Sequence, residues 1–167
     1  AVPSALGVRV GLACRGAVEG IVKRAMGDQI ASGQLMCQLK WPNDVMLDGK
    51  KVMGVLIESI HGEDGAKWLL VGIGLNANFA SGKLPESLSA NATTLLDALG
   101  VEIDLEQAIT DLIGAVRAAV SQGGRPLSEL AVDTVENGWL WGVGHNALLT
   151  MPTGERLEGT ILGIDTR

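Results

Sequence analysis

Lys40-Trp41-Pro42-Asn43-Asp44 brings an ammonium, an amide and a carboxylate into five consecutive positions. The proline between them cannot donate to a sheet ladder, so the stretch reads as a shaped turn at the end of a strand, projecting Lys40, Asn43 and Asp44 from a sheet edge. A lysine there is a compact positive charge for a carboxylate or phosphate, and its donors can follow an oxyanion as charge develops in acyl or phosphoryl chemistry. The plain alternative is a surface turn beside a half-buried Trp41.

Lys50-Lys51 is a second basic pair, placed between the Asp48-Gly49 turn and an apolar run. Strict alternation points Lys51, Met53, Val55 and Ile57 to one face and Val52, Gly54, Leu56 and Glu58 to the other. Gly54 either lets a ligand or another backbone approach that second face or marks a bulge. The third feature, Gly72-Ile73-Gly74-Leu75-Asn76-Ala77-Asn78, lacks the third glycine and following helix of a dinucleotide fingerprint. Its glycines clear one strand face for a flat ligand that Asn76 can hydrogen-bond, or else the strand simply twists into a loop. His61 and His145 sit beside glycines in turns, and Ser4, Ser32 and Cys37 show no His-carboxylate arrangement for nucleophilic catalysis.

These residues need strands to carry them and helices to back the strands. Apolar runs over Gln34 to Lys40, Val45 to Leu47, Val52 to Ile60 and Lys67 to Leu75 read as strands, with a tight hairpin at Asp48-Gly49 and another turn at Gly62 to Gly65. Leu6, Val10, Ala13, Ala17, Ile21 and Ala25 recur at helical spacing from about Leu6 to Ile30. Phe79 to Ser89 reads as loop and Asn91 to Leu99 as a short helix. Asp104 with Gln107 forms a capping pair ahead of Leu105, Ala108, Ile109, Leu112, Ile113, Val116 and Val120, one apolar stripe. Leu127 to Glu136 reads as a further helix. After Gly138, Trp139 and Trp141 lead into Ala147 to Met151, a Thr153-Gly154 turn and Leu157 to Ile164, two or three strands of a small β module. Consecutive hairpins flanked by helices make an α+β fold with a mixed or antiparallel sheet, divided as a core over 1–137 and a small β domain over 138–167.

The bulk numbers agree with one sizeable core. The chain has 167 residues, 47% hydrophobic and 19% charged, with a net charge of −6 that disfavours a nucleic-acid surface. Cys14 and Cys37, the two cysteines, have no metal-ligand spacing, which leaves reduced core thiols and a cytoplasmic setting as the expectation. No apolar run is long enough for a membrane span. The absence of an initiator Met and an ending just after an apolar run lead us to expect a longer natural chain.

In this order, Lys40-Trp41-Pro42-Asn43-Asp44-Val45, Lys51-Val52-Met53-Gly54-Val55-Leu56-Ile57-Glu58 and Val71-Gly72-Ile73-Gly74-Leu75-Asn76-Ala77-Asn78 resemble the catalytic core of biotin protein ligases. Asn91-Ala92-Thr93-Thr94-Leu95 is similar to that family's Ala-Thr-Ser-Leu helix start, and Val143 to Asp165 resembles the beginning of its SH3-like C-terminal domain. The resemblance implies a class II synthetase-like core with an incomplete SH3-like module. It implies ATP-dependent joining of biotin and AMP, with Mg²⁺, followed by transfer of biotin to a lysine of a biotin carboxyl carrier domain. Lys51 would be the central cation, touching the biotin carboxylate and the nucleotide phosphate, and Lys40 a second cation on the phosphate side. Trp41, Asn43 and Asp44 would shape the turn, Gly54 and Leu56 would line the biotin wall, Gly72 and Gly74 the floor, and Asn76 would face the nucleotide. No metal ligands are singled out. The family's Gly-Arg-rich phosphate loop and its Ser/Thr-rich biotin segment lie N-terminal to the first helix and are not among these residues. Neither is the DNA-binding helix-turn-helix of some members, so no repressor role and no nucleic-acid or membrane partner is expected. The resemblance admits a homodimer. It leaves two alternatives: a ligase-like binding protein without ligase chemistry, and a lipoate or octanoyl transferase of the same fold.

Overall fold

The computed structural model describes residues 4–27, 35–63, 65–121, 126–151 and 153–163. Helix α1 (Ser4–Met26) leads into a four-stranded sheet of β1 (Cys37–Lys40), β2 (Asp44–Leu47), β3 (Lys50–His61) and β4 (Lys67–Leu75). The strands pair in chain order, each antiparallel to the next. Short helices α2 (Glu86–Ser89) and α3 (Leu95–Leu99) follow, then α4 (Leu105–Ser121) and α5 (Leu127–Glu136). Strands β5 (Asn146–Thr150) and β6 (Arg156–Thr160) form a separate antiparallel pair. The class is α+β, as the hairpin pattern implies. No helix among the described residues is long and apolar enough to cross a membrane.

The strands form over short runs rich in aliphatic and β-branched residues, and the hairpin turn forms where the backbone must go left-handed. Asp48 and Gly49 both have positive φ, 49° and 76°, the geometry a tight two-residue hairpin requires. β4 has the bounds the sequence predicts. The portions of the first strand and first helix expected over Gln34 and 28–30, and Ile164 at the end of the last strand, lie outside the described residues.

α1 is buried on a wider arc than the expected stripe. Leu6, Val10 and Ile21 are buried, but so are Val8, Cys14, Val18 and Val22, whereas Ala13, Ala17 and Ala25 are only half-buried. The helix packs against β1, β2 and β3 on one side and α4 on another, so one stripe is not enough. Gly11 is where it comes closest to the sheet: a Cβ there would stand 2.8 Å from Leu39 Cδ1 and 3.3 Å from the Pro42 carbonyl oxygen. The helix thus rests directly on the turn that carries Lys40 to Asp44.

Three expectations need correction. The helix expected over Asn91 to Leu99 begins at Leu95, because Thr94 is its N-cap, accepting from Asp97 N–H at 3.1 Å, while Ala92 bridges to Lys51. The expected loop over Phe79 to Ser89 contains a 3₁₀ turn at Ser81–Lys83 as well as α2. The stripe on α4 divides: Ala108 and Leu112 enter the core, whereas Leu105, Ile109, Ile113 and Val120 are each about half exposed. The N-terminal cap does form, with Gln107 N–H donating to Asp104 at 3.0 Å, although the Gln107 side chain turns forward to Asp111.

Candidate active site on the open face of the sheet

On the face of β3 and β4 turned away from the core, three glycines cluster near one end. Cross-strand partners share a face, and here Gly54 lies opposite Gly74 and Leu56 opposite Gly72. The face behind them is closed by Met53 and Val55, which are buried in the main core with Ile73 and Leu75 packed against it. A Cβ on Gly74 would meet nothing within 4 Å, and one on Gly72 would make only ordinary contact with Leu56. Packing therefore does not demand those glycines; their effect is to leave the sheet backbone bare. The result is an open concavity of about 450 Å³ lined by Asn43, Asp44, Lys51, Gly54, Leu56 and Gly72 with their strand neighbours, among them Gly74.

Lys51 reaches this concavity through an irregularity that alternation does not foresee. Between β2 and β3 the register shifts: Val45 pairs with Met53 but Met46 pairs with Lys51, which leaves Val52 as one extra residue on β3. Val52 and Met53, though consecutive, are both buried. The shift takes Lys51 off the face of Met53 and Val55, where strict alternation puts it, and lays it across Gly54. Lys51 Nζ stands 3.1 Å from the position a Gly54 Cβ would take and 2.6 Å from Asp44 Oδ1. Gly54 faces Asp44 across the strands, so its missing side chain makes room for the ion pair.

The surrounding backbone fixes the pair. Asn43 and Val55 bond reciprocally, Val55 N–H donating to the Asn43 carbonyl at 2.9 Å and the Asn43 amide donating to the Val55 carbonyl at 2.6 Å. Lys51 N–H donates to the Asn91 carbonyl at 2.8 Å, and Thr93 N–H donates to the Lys51 carbonyl at 2.9 Å. The segment that supports Lys51 is itself tied: Ser81 gives both its hydroxyl and its N–H to Asp97, which hold that carboxyl below the usual range.

The sequence-predicted residues divide into two groups. Lys51, Asn43, Asp44, Gly54, Leu56, Gly72 and Gly74 meet in the concavity. Lys40 and Trp41 line a different cavity of about 290 Å³, together with Leu140, Trp141, Ile161 and Gly163. Asn76 lies outside both: its amide donates to the Thr93 carbonyl at 3.0 Å, and its N–H and carbonyl bond Val52 and Leu95. It ties β4 to the segment behind Lys51. The backing role of Asn91 and Thr93 went unforeseen, since a backbone pairing of this kind has no residue-type signal. The placement of Trp141 beside Lys40 was equally unforeseen, since nothing in residue order links two positions a hundred residues apart.

Among the described residues no group of three or more His, Cys, Asp or Glu could hold a metal ion. Among the described residues, Asp44 is the carboxylate lining the concavity, and it is paired with Lys51. The site thus combines one ammonium, held by its counter-ion, with a bare glycine floor that a flat ring can cover.

Residues 11–78 match the family model described as Biotin/lipoate A/B protein ligase family. The bifunctional ligase/repressor BirA of Bacillus spizizenii is 40% identical over 78 residues, 47% of this chain and 24% of that protein. The biotin–[acetyl-CoA-carboxylase] ligase of Mycobacterium tuberculosis is 31% identical over 128 residues, 76% of this chain and 44% of that protein. Among solved structures, a biotin protein ligase from Aquifex aeolicus in complex with biotin and ATP superposes with a TM-score of 0.71 at 25% identity, over 98% of this chain and 61% of that one. This chain thus spans less than half the length of these two curated relatives.

Proposed function

We propose, from the match of residues 11–78 to the biotin/lipoate A/B protein ligase family model, that this chain is the catalytic portion of a biotin protein ligase. The observation that carries this reading is the Lys51–Asp44 pair standing over the Gly54, Gly72 and Gly74 floor. Biotin is a fused, flat bicycle with a carboxylate tail, which matches a bare, side-chain-free floor ending in an ammonium.

In the first step the biotin carboxylate attacks the α-phosphorus of ATP; the bond to the β-phosphate oxygen breaks, and pyrophosphate leaves with that electron pair. Two anions must approach each other, and Lys51 lies where its charge can offset that repulsion and stabilise the charge developing on the phosphoryl oxygens. Asp44 holds the lysine at the site, and Gly54 leaves it room. Lys40 is the second cation, on the phosphate side. In the second step an acceptor lysine amine attacks the acyl carbon of the mixed anhydride and AMP leaves. The acceptor is a biotin carboxyl carrier domain. Among the described residues the concavity offers no protein cage for Mg²⁺.

Mass spectrometry of the full-length protein, purified without added ligand and then incubated with biotin and ATP, tests this reading. Retained biotinyl-adenylate is expected. Retention of biotin with no adenylate formed would identify a binding protein instead.

A further inference from the structure

Lys40 and Asp44 are cross-strand partners at the ends of β1 and β2 and so share a face of the sheet. Asn43 and Asp44 line the glycine-floored concavity, while Lys40 and Trp41 line a second cavity with Trp141 and the end of the small C-terminal module. Lys40 Nζ stands 5.0 Å from the centroid of the Trp141 ring, within cation–π range, and makes no ion pair among the described residues.

The indole is held there by the backbone. Residues 139–141 run along the outer edge of β1: Leu39 N–H donates to the Trp139 carbonyl at 2.6 Å, and Trp141 N–H donates to the Leu39 carbonyl at 2.9 Å. The Gln38 side-chain amide adds a bond to the Gly138 carbonyl at 3.1 Å, and Arg15 stacks over Trp139 at 4.9 Å. Trp141 is therefore anchored to the residue immediately before Lys40. One residue further on, Gly142 approaches Ile161 so closely that a Cβ would stand 3.0 Å from its Cδ1, so the same segment is joined to the end of the C-terminal module.

We propose that Trp141 is a positioning residue for Lys40: its indole face narrows the conformations of the exposed lysine stem and keeps the ammonium at the rim where the nucleotide phosphates arrive. The inference rests on the ligase reading above and adds to it a route by which the C-terminal module sets phosphate affinity. A lysine on a bare turn must be ordered when the phosphate binds, whereas one already resting on an indole has less freedom to lose.

Biotin-dependent exchange of labelled pyrophosphate into ATP, measured with the full-length protein, tests it. The set comprises wild type, Trp141→Leu, Trp141→Phe, Lys40→Ala and the Lys40→Ala/Trp141→Leu double variant, each with its melting temperature. Trp141→Leu is expected to raise KM for ATP about two- to five-fold, the scale of an exposed cation–π contact, and to leave KM for biotin unchanged. Trp141→Phe should recover most of that loss, and Trp141→Leu should add nothing once Lys40 is alanine. A Phe variant as impaired as Leu would overturn the proposal, as would an unchanged or lower KM for ATP in Trp141→Leu. So would an effect that persists in the Lys40→Ala background, since a merely structural Trp141 lowers stability and exchange in both backgrounds alike. Absence of exchange in wild type would overturn the ligase reading and this proposal together, whereas wild-type exchange with no Trp141 effect would overturn this proposal alone.

Discussion

Lys51 enters the concavity because β3 carries one residue too many opposite Val45 and Met46, and because residue 54 has no side chain. A side chain at 54 would crowd Lys51 Nζ and Cε at 3.1 and 3.2 Å, whereas one at 74 would meet open space. The two glycines therefore have different uses, one admitting the lysine and the other admitting the ligand. Gly74→Val separates fold from function: a β-branched residue suits an exposed strand position, so the melting temperature should hold or rise. The isopropyl group would occupy the floor, and equilibrium binding of labelled biotin should weaken at least about tenfold, the cost of roughly 1.4 kcal/mol of lost contact. Unchanged biotin affinity would remove Gly74 from the site.

At the scale of elements, α1 and the segment from Ser81 to Leu99 both hold the site in place. Gly11 lets α1 lie on Leu39 and the Pro42 carbonyl. Gly11→Ala sets a helix-propensity gain of about 1 kcal/mol against an overpacking cost of about 1–3 kcal/mol. Because the 2.8 Å approach is to a fully buried leucine, the cost should win. Thermal denaturation should show a fall of a few degrees, and a rise would mean that the helix does not bear on the turn. Within the second segment, Asp97 receives the hydroxyl and N–H of Ser81, which lower its pKa. A depressed carboxyl contributes its tie above the ordinary aspartate value and loses it as pH falls through the lowered one. The Ser81 amide resonance should therefore titrate with a midpoint below the usual aspartate value of about 3.9, and the transition should vanish in Asp97→Asn. A midpoint at or above the ordinary value would show that the tie is absent in solution.

The same scale explains what could be read from residue order. The Asp48-Gly49 hairpin, the Asp104 cap and the bounds of β4 depend on a few neighbouring residues, and the sequence declares them. The late start of α3 and the partner of Asn76 depend on contacts between segments some 17 to 42 residues apart, as in the Thr93–Lys51 and Asn76–Thr93 bonds, and the face Lys51 occupies depends on a register shift in the β2–β3 hairpin that no residue type announces. The motif residues were legible as a set, since seven of them line one concavity. Their separation into two cavities was not, because it arises from residues 139–141 lying along β1.

Across the whole molecule, one core connects α1 to the sheet, and both thiols lie within it. Burial pushes the Cys14 thiol up to about 11 and Cys37 up to about 12, the latter despite the nearby Arg15 charge. Neither should react with a disulfide reagent at neutral pH in the native protein, and both should become reactive along the same denaturant curve that tryptophan fluorescence follows. Labelling of Cys37 ahead of that curve would show that β1 opens separately from the core. The charge pair, the bare floor and their backing strands together make the case for adenylate chemistry. Its most direct test is transfer of labelled biotin to a biotin carboxyl carrier domain by the full-length protein and by its Lys51→Ala variant at matched stability. Wild type should label the acceptor, and the variant should be slower by at least about a hundredfold, the scale of losing one preorganised donor to a developing charge; labelling at equal rates, or none by folded wild type, would contradict the account.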